Sequence, residues 1–457
     1  SPVSAANLAR VTRAVKADQE AVCWLTGLLV SVYITPHMDS HSFLNPSVSS
    51  DPEIATLIQA EHERQSTTID LIASENHVSS GIRLAHASLL TDKYAEGYPG
   101  KRYYSGCDVV DGVERVAISR AAQLFGAEHA NVQPHAGSQA NFAAYQALIK
   151  PGATILGMDR SHGGHLTHGA EVNFSGRLYH IETYGVEKDT EVLDYGLVRK
   201  TALQVRPDMI VAGASSYPRA IDFKAFGDIA KEVGALLLVD IAHIGGLIAA
   251  EVHQSPIPYA DVVTGTTQKT LRGPRGGFIL SKNCHAAAID ASVFPGSQGG
   301  PLMHVIAAKA ICFRDAMSAE FRAYAQQIVV NARAMAEEIA DHGLRIVSGG
   351  TDNHLVLIDL SSLGITGKQA SISLEHAGIV ANRNSIPFDA QPPAIAGGLR
   401  IGAPAITTRG FLAEDARAVA RLVCRVLHEP ESESVRSDVL KTVASLCEAH
   451  PLPGLSE

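Results

Sequence analysis

Three features of the sequence predict an open α/β fold with a mostly parallel sheet flanked by helices, followed by a smaller α+β domain. Short apolar runs alternate with amphipathic stretches through the middle of the chain, and each run ends in polar residues, as in GALLLVD and VVTGTTQK. A stretch from about Met317 to His342 then reads as one long helix that bridges to a region of mixed strands and helices. Strands covered by helices on both faces read as continuous apolar runs, and ligands collect at their carboxyl ends. The chain accordingly divides into an N-terminal extension and linker (1–51), an arm and large domain (52–316), and a small C-terminal domain (317–457).

The 457 residues suit two or three domains with ample core. A hydrophobic fraction of 46% with 19% charged residues describes a soluble globular protein. The net charge of -9, from 38 basic and 47 acidic residues, argues against nucleic acid as a partner. Cys23, Cys107, Cys284, Cys312, Cys424 and Cys447 are scattered singly, which fits free thiols in a reducing, cytoplasmic setting. The apolar run Ala21 to Ile34 is interrupted by Thr26, Gly27 and Ser31 and is shorter than the roughly 20 residues of a membrane span. It reads as a buried helix or packing arm, with no membrane role; the alternative, a signal-peptide core, is opposed by the acidic residues before it and the lack of a small-residue cleavage site after it.

Taken in order, residues 1 to about 50 form a preamble ending in a proline-punctuated linker. A helical pattern starts at Pro52 and leads to TTIDLIASENHVS, where Ser74, Glu75 and Asn76 either cap an element or face a ligand. TDKYAEGYPGKRYYSGC follows, with four tyrosines, Lys, Arg and Glu among glycines. That composition suits a ligand-lining loop, or a surface loop packed on a neighbour. A helix is expected from Gly112 to Phe125. In ANVQPHAGSQANFAAYQALI, a short strand, a turn with Gly137 and Ser138, and an Ala-rich helix make the geometry that offers free N–H groups and a helix dipole to a phosphate. The glycine spacing matches neither a Walker loop nor a dinucleotide fingerprint, so a small phosphorylated cofactor fits better.

ATILGMDRSHGGHLTHG gives a strand and then His162, His165 and His168 on a glycine-containing loop. A metal site is one reading, though no carboxylate or cysteine stands near at ligand spacing. A histidine packed on a flat aromatic ligand is the other. Strands follow at Met209 to Ala214, ending in Ser215, and at Ala235 to Val239, ending in Asp240 with His243 just beyond. A carboxylate closing so apolar a run needs a cationic partner, which a pyridinium nitrogen would supply. The next run, Val262 to Thr266, ends in Lys269. Burial disfavours an ammonium, so this lysine is either a lowered-pKa amine able to form a Schiff base with an aldehyde, as in enzymes of pyridoxal phosphate (PLP), or a side chain snorkelling from a strand end. In the smaller domain, GGLRIGAPAIT places Arg400 on an apolar strand, where its fork would match a carboxylate. Two helices are expected from Ala413 onward.

Taken together, LIASEN, KYAEGYPGKRYY, NVQPHAGSQAN, HGGHLTHG, VDIAHIGGLIAA, TTQKTLRGPRGG, FPGSQGGPLMHVIA, SGGTDNHL and LRIGAPAITTRG resemble serine hydroxymethyltransferase, from about residue 52 to 450. The resemblance implies PLP fold type I with a seven-stranded sheet, PLP as cofactor and tetrahydrofolate as co-substrate. It implies that Lys269 holds PLP, Asp240 pairs with the pyridinium, and His165 stacks on the ring. Ser215 and His243 would flank the phenolic edge, while Gly137, Ser138 and Gln268, with Gly300 of the partner subunit, would bind the phosphate. Arg400 and Ser74 would grip the amino acid's carboxylate. Glu96 would be the acid-base group near the transferred carbon, with Tyr94, Tyr103 and Tyr104 lining the site, partly from the other subunit. Tyr104, His243 and Thr266 join Lys269 and Glu96 as catalytic candidates. Gly164, Leu166 and Asn384 would contact folate, and a shared site would make a homodimer the least working assembly, a tetramer being the larger alternative.

The sequence departs from the family's pattern in four places: Gln268 where His is usual, Ala136 where Ser is common, Arg160 for a leucine of the folate pocket, and Pro218-Arg219 for small residues. These leave room for α-methylserine as substrate, or for a folate-independent aldolase. Other classes are a metal hydrolase on His162, His165 and His168, and an inactive PLP-fold scaffold binding RNA or a partner; intact Lys269, Asp240 and Arg400 oppose the scaffold.

Overall fold

A computed structural model describes residues 51–454. The expected extension and its apolar run Ala21 to Ile34 therefore lie almost wholly outside the described residues. The larger sheet has seven strands: β1 (His129–Asn131), β2 (Thr154–Met158), β3 (His180–Tyr184), β4 (Met209–Ala212), β5 (Leu236–Asp240), β6 (Val262–Thr266) and β7 (Gly277–Ser281). Their spatial order is β1-β7-β6-β5-β4-β2-β3, and β7 alone runs against its neighbours. The smaller sheet is antiparallel, with β8 (Arg345–Ile346), β9 (Leu355–Asp359), β10 (Asn382–Asn384) and β11 (Gly398–Gly402) in the order β8-β9-β11-β10.

Alternation along the central strands sorts their side chains onto two faces. Ile155, Val211, Leu238, Val262 and Ile279 pack with Ala140, Ala143, Ala144 and Tyr145 of a helix, Gly137–Leu148. Leu156, Ile210, Val239, Val263 and Leu280 point the other way into the main core, which continues through Val356, Ile358 and Val423. Three alanines on one face of the helix let it approach the sheet closely. That fixes its first turn over the carboxyl edge of the strands.

The principal helices are α1 (Pro52–Thr67), α2 (Asp108–Phe125), α3 (Gly137–Leu148), α4 (Phe223–Val233), α5 (Met303–Ala316), α6 (Ala319–Asp341), α7 (Ala413–His428) and α8 (Glu433–Ala449). Asp51 caps α1, accepting from the N–H groups of Glu53 at 3.1 Å and Ile54 at 3.2 Å, with proline at the first helical position. The predicted helices match well, with α6 within two residues of expectation at each end. α2 starts four residues before the expected Gly112, because a glycine inside a helix lowers its propensity without ending it. β4 stops at Ala212 and not Ala214: Gly213 adopts φ +125, and a Cβ there would collide with the Asp240 carbonyl, so the chain turns across β5 at that point. α5 was not anticipated, and it packs on α2.

The start of the described chain is tied to its end. Ile69–Asp70 pairs in parallel with Ile379–Val380, and the Arg409 guanidinium donates to carbonyls of Thr68 (2.9 Å) and His450 (2.7 Å). No helix among the described residues is long and apolar enough to cross a membrane.

Candidate active site

Five strand ends deliver side chains to one cavity of about 270 Å³, close to the lower limit of about 300 Å³ usual for small-molecule sites. Among the residues that line it are Ser74, Gly137, Ser138, His165, Ser215, Asp240, His243, Thr266, Gln268 and Lys269, all expected from the sequence. Lys269 follows β6, and its amine donates no hydrogen bond to any described residue. Burial pulls its pKa down to about 8, helped by Arg400 and Arg275 and resisted by Asp240. Its backbone is pinned from behind: Asn76 Nδ2 donates to the Lys269 carbonyl at 2.9 Å and to the Tyr324 hydroxyl at 2.6 Å.

Asp240 ends β5 inside a designed shell. Its Oδ2 accepts from Asn141 Nδ2 at 2.9 Å and His168 Nε2 at 3.0 Å, and its Oδ1 accepts the Ala242 N–H at 2.9 Å. Burial alone would raise this carboxyl, but the hydrogen bonds it accepts from His168 and Asn141 hold it well below the usual range. Three of about four lone-pair positions are taken, leaving one for a cationic N–H. His168 Nδ1 accepts the His165 N–H at 3.2 Å, which places the His168 proton on Nε2. His165 Nδ1 accepts the Thr167 N–H at 3.2 Å, and burial pulls this imidazole to about 4, so it is neutral near pH 7. His243 is likewise pushed well below the ordinary value by burial and the nearby cations, with Nδ1 3.2 Å from His354 Nε2.

The first turn of α3 has no side-chain cap, since Ala136 occupies the N-cap position. The N–H groups of Gly137, Ser138 and Gln139 find no partner among the described residues. Gly137 must lack a side chain, because a Cβ would lie 2.7 Å from the Thr266 methyl. Gln268 Oε1 accepts the Gly276 N–H at 3.3 Å, so its amide NH2 is the end free to serve a ligand. The Thr266 hydroxyl is committed to the Ala242 carbonyl at 3.1 Å. A phosphate at the orphan N–H groups, a pyridinium at Asp240 and an aldehyde at Lys269 are mutually compatible demands, so the donor set fits PLP.

His165 and Ser215 also line a second cavity of about 450 Å³, whose lining includes Arg160, Gly164, Leu166, Arg383 and Asn384. The three residues expected to contact folate thus meet in one place, beside Arg160. Arg400, on β11, donates to Asn382 Oδ1 at 3.1 Å and to the Ser215 carbonyl at 2.6 Å. Burial lowers it to about 10, so it stays charged at neutral pH, and it forms no ion pair with a described carboxylate.

Glu96, Tyr94, Tyr103, Tyr104 and Gly300 are not brought to the cavity of their own chain. Tyr94 donates to Glu96 Oε1 at 3.1 Å, Gly300 packs against the Tyr94 ring, and Tyr103 is 73% exposed. Their loop is anchored by buried Arg102, which binds Asp111 at 2.8 Å and Glu114 at 2.6 Å.

The proposed histidine triplet does not assemble. His162 turns away, its Nδ1 accepting the Val186 N–H at 3.1 Å and its ring against Phe388. His165, His168 and Asp240 do converge within 4.8 Å, a grouping that the His168–Asp240 hydrogen bond accounts for. Pro218 and Arg219 lie outside the site. Arg219 pairs with Asp352 at 3.2 Å and Pro218's carbonyl accepts the Asp352 N–H at 2.8 Å, which locks the two halves of the fold together. Sequence reasoning offered His168 only as a metal ligand and Asn76 only as a cap or ligand-facing residue, and it missed Asn141 and Arg275; the carboxamide-hydroxyl pairing of Asn141 with Thr167 and Thr264 became visible only in three dimensions.

A seven-stranded sheet with a phosphate turn, a carboxylate and a lysine on its carboxyl edge defines the PLP enzymes of fold type I. A family model described as serine hydroxymethyltransferase matches residues 48–423, and the chain belongs to that family. It is accordingly a glycine/serine hydroxymethyltransferase in the broad sense, a transferase of one-carbon and amino-acid metabolism whose family uses PLP and tetrahydrofolate.

Proposed function

We propose that the protein transfers a hydroxymethyl group reversibly between L-serine and tetrahydrofolate, giving glycine and 5,10-methylenetetrahydrofolate. The observation that carries this reading is the adjacency of two cavities that share His165 and Ser215, one around Lys269 and Asp240, the other around Gly164, Leu166 and Asn384. An aldolase without folate would have no use for the second.

PLP bound here supplies an electron sink for cleavage at the amino acid's α-carbon. The chain's residues do the rest. Lys269, mostly ammonium at neutral pH with a reactive free fraction, attaches the cofactor. Asp240 keeps the pyridine nitrogen protonated. Neutral His165 would cover the ring of a bound cofactor, and neutral His243 and the Ser215 hydroxyl would serve its phenolic oxygen. Arg400, already desolvated and lacking a carboxylate, binds the substrate's, assisted by Ser74 on the cavity wall. Exposed Arg160 and Arg383 at the mouth of the second cavity suit the acidic end of a folate.

The groups absent from the cavity are the ones this reading assigns to a partner. Tyr94, Glu96, Tyr103, Tyr104 and Gly300 cluster on the outer surface, where a second copy can receive them, so the working unit is a homodimer with shared sites. We divide each subunit near Met317, since the seven-stranded sheet lies within 129–281 and the four-stranded sheet within 345–402. The five described cysteines are free, which supports a cytoplasmic setting.

The test is an assay of serine, α-methylserine and allo-threonine, each with and without tetrahydrofolate. Folate-dependent turnover of serine above α-methylserine is the expected result. Preference for α-methylserine, or cleavage indifferent to folate, would replace this function with one of the two alternatives.

A further inference from the structure

Lys309 is a buried cation that the chemistry above does not use. It is 1% exposed, on α5, and lines neither cavity. Its Nζ donates to three backbone carbonyls: Val132 at 2.7 Å, Gly277 at 2.8 Å and Pro134 at 2.9 Å. It has no ion-pair partner among the described residues. Glu114 acts on it through space, but that carboxylate is committed to Arg102 and to Gln133 Nε2 at 2.8 Å. Glu114 on α2, His135 in the turn and Cys312 on its own helix are the titratable groups that face it.

Burying an ammonium is costly, and an apolar side chain would fill the same space without that cost. What only the ammonium provides is three N–H donors in one place; a neutral amine has two. The carbonyls it gathers come from two segments. Val132 and Pro134 lead directly into the turn that exposes the N–H groups of Gly137, Ser138 and Gln139, while Gly277 follows the loop that carries Lys269 and Gln268. The same two segments are joined by the Gly277 N–H, which donates to Pro134 at 3.0 Å. From the other side Gln298 grips the turn, donating to the Gln133 carbonyl at 3.0 Å and accepting the His135 N–H at 3.1 Å. A side chain on Gly276 would collide with Lys309 Cε, so the loop is shaped around the lysine.

We propose that Lys309 is a positioning residue for the phosphate end of the cofactor: its ammonium ties segment 132–134 to Gly277 and thereby aims the free N–H groups of the α3 turn at the phosphate. The proposal rests on the reading that this turn takes the phosphate of PLP. A brace of this kind acts on the phosphate and leaves the aldehyde at Lys269 alone, so it separates PLP from pyridoxal, which has the aldehyde without the phosphate.

The experiment titrates full-length apoenzyme with PLP and with pyridoxal, comparing wild type with Lys309→Met. The expected result is a preference for PLP over pyridoxal that falls by roughly tenfold or more in the variant, with pyridoxal affinity within about twofold of wild type. An unchanged preference, or an equal loss for both ligands, overturns the proposal. A wild type that binds the two ligands equally would overturn the phosphate reading itself. Should Lys309→Met not fold, wild type decides. Burial pulls the amine down to about 7, while burial keeps His135 neutral and the Cys312 thiol protonated at alkaline pH. The preference for PLP should therefore drop as pH rises from about 6.5 to about 9.5, Lys269 chemistry cancelling between the ligands. A flat profile overturns the proposal.

Discussion

His168 donates from Nε2 to Asp240 at 3.0 Å, and the backbone N–H of His165 fixes which nitrogen does so. The carboxylate expected to hold the cofactor's ring nitrogen is thus itself held by a buried histidine that the sequence did not point to as its partner. His168→Phe should weaken PLP binding by about 1.5–3 kcal/mol, the worth of a hydrogen bond to a charged group. A titration of apoenzyme checks this, and wild-type affinity would show that Asn141 and the Ala242 N–H suffice.

Arg400→Ala should raise the KM for serine by about 1.5–3 kcal/mol while leaving that for tetrahydrofolate nearly unchanged. Arg400 is lodged between Asn382 and the Ser215 carbonyl, with no described acid to neutralise it. If serine KM stayed at the wild-type value, the substrate's carboxylate would have to be bound by another group, Arg275 being the nearest candidate in the cavity.

Much of this site was legible because strand ends are marked in sequence: an apolar run followed by Asp240, by Ser215 or by Lys269 announces a buried polar group that needs a reason. The phosphate turn was legible from Gly137 and Ser138 before an Ala-rich helix. Contacts that depend on distant segments were not. Nothing local marks Asn141 as a partner of Asp240, since the two are joined only when α3 lies across the sheet. Lys309 interrupts the apolar run Val305 to Phe313, but nothing local says whether such a lysine snorkels outward or gathers carbonyls inside the fold. The tyrosine loop suggested a ligand-lining role, but its place outside the chain's own cavity follows from the Arg102 anchor.

Gln268→His with Ala136→Ser should tighten PLP by about 1–3 kcal/mol. Ser at 136 would supply the missing cap of α3, and a histidine at 268 could add charge near the phosphate. Gln268 already holds Gly276, however, and a variant with equal or weaker affinity would mean that this loop contact outweighs the gain.

Arg160→Leu should alter the KM for tetrahydrofolate, raising it if the guanidinium meets the ligand's acidic end, with the spectral response to serine unaffected. Arg160 is exposed at the mouth of the second cavity beside Arg383. Unchanged folate dependence would show that it faces solvent throughout the reaction.

Mixing inactive Lys269→Ala and Glu96→Gln subunits should restore activity, because a hybrid dimer rebuilds one intact shared site. Tyr94, Glu96 and Gly300 meet on the outside of the subunit, away from Lys269. No recovery in verified hybrids would place both residues in a site within one chain.

The central claim, that Lys269 is the cofactor's lysine, is tested most directly by borohydride reduction of the PLP-loaded protein followed by peptide mapping. Its pKa of about 8 also sets a pH dependence: the free amine that captures the aldehyde is scarce below that value and dominant above it, so uptake of pyridoxal, which the Lys309 brace leaves alone, should rise through about 8 and level off. His165, at about 4, adds no change in that window. A visible band that borohydride abolishes and a pyridoxyl label on Lys269 alone are expected. A label on another lysine, or wild-type turnover by Lys269→Ala, would contradict it.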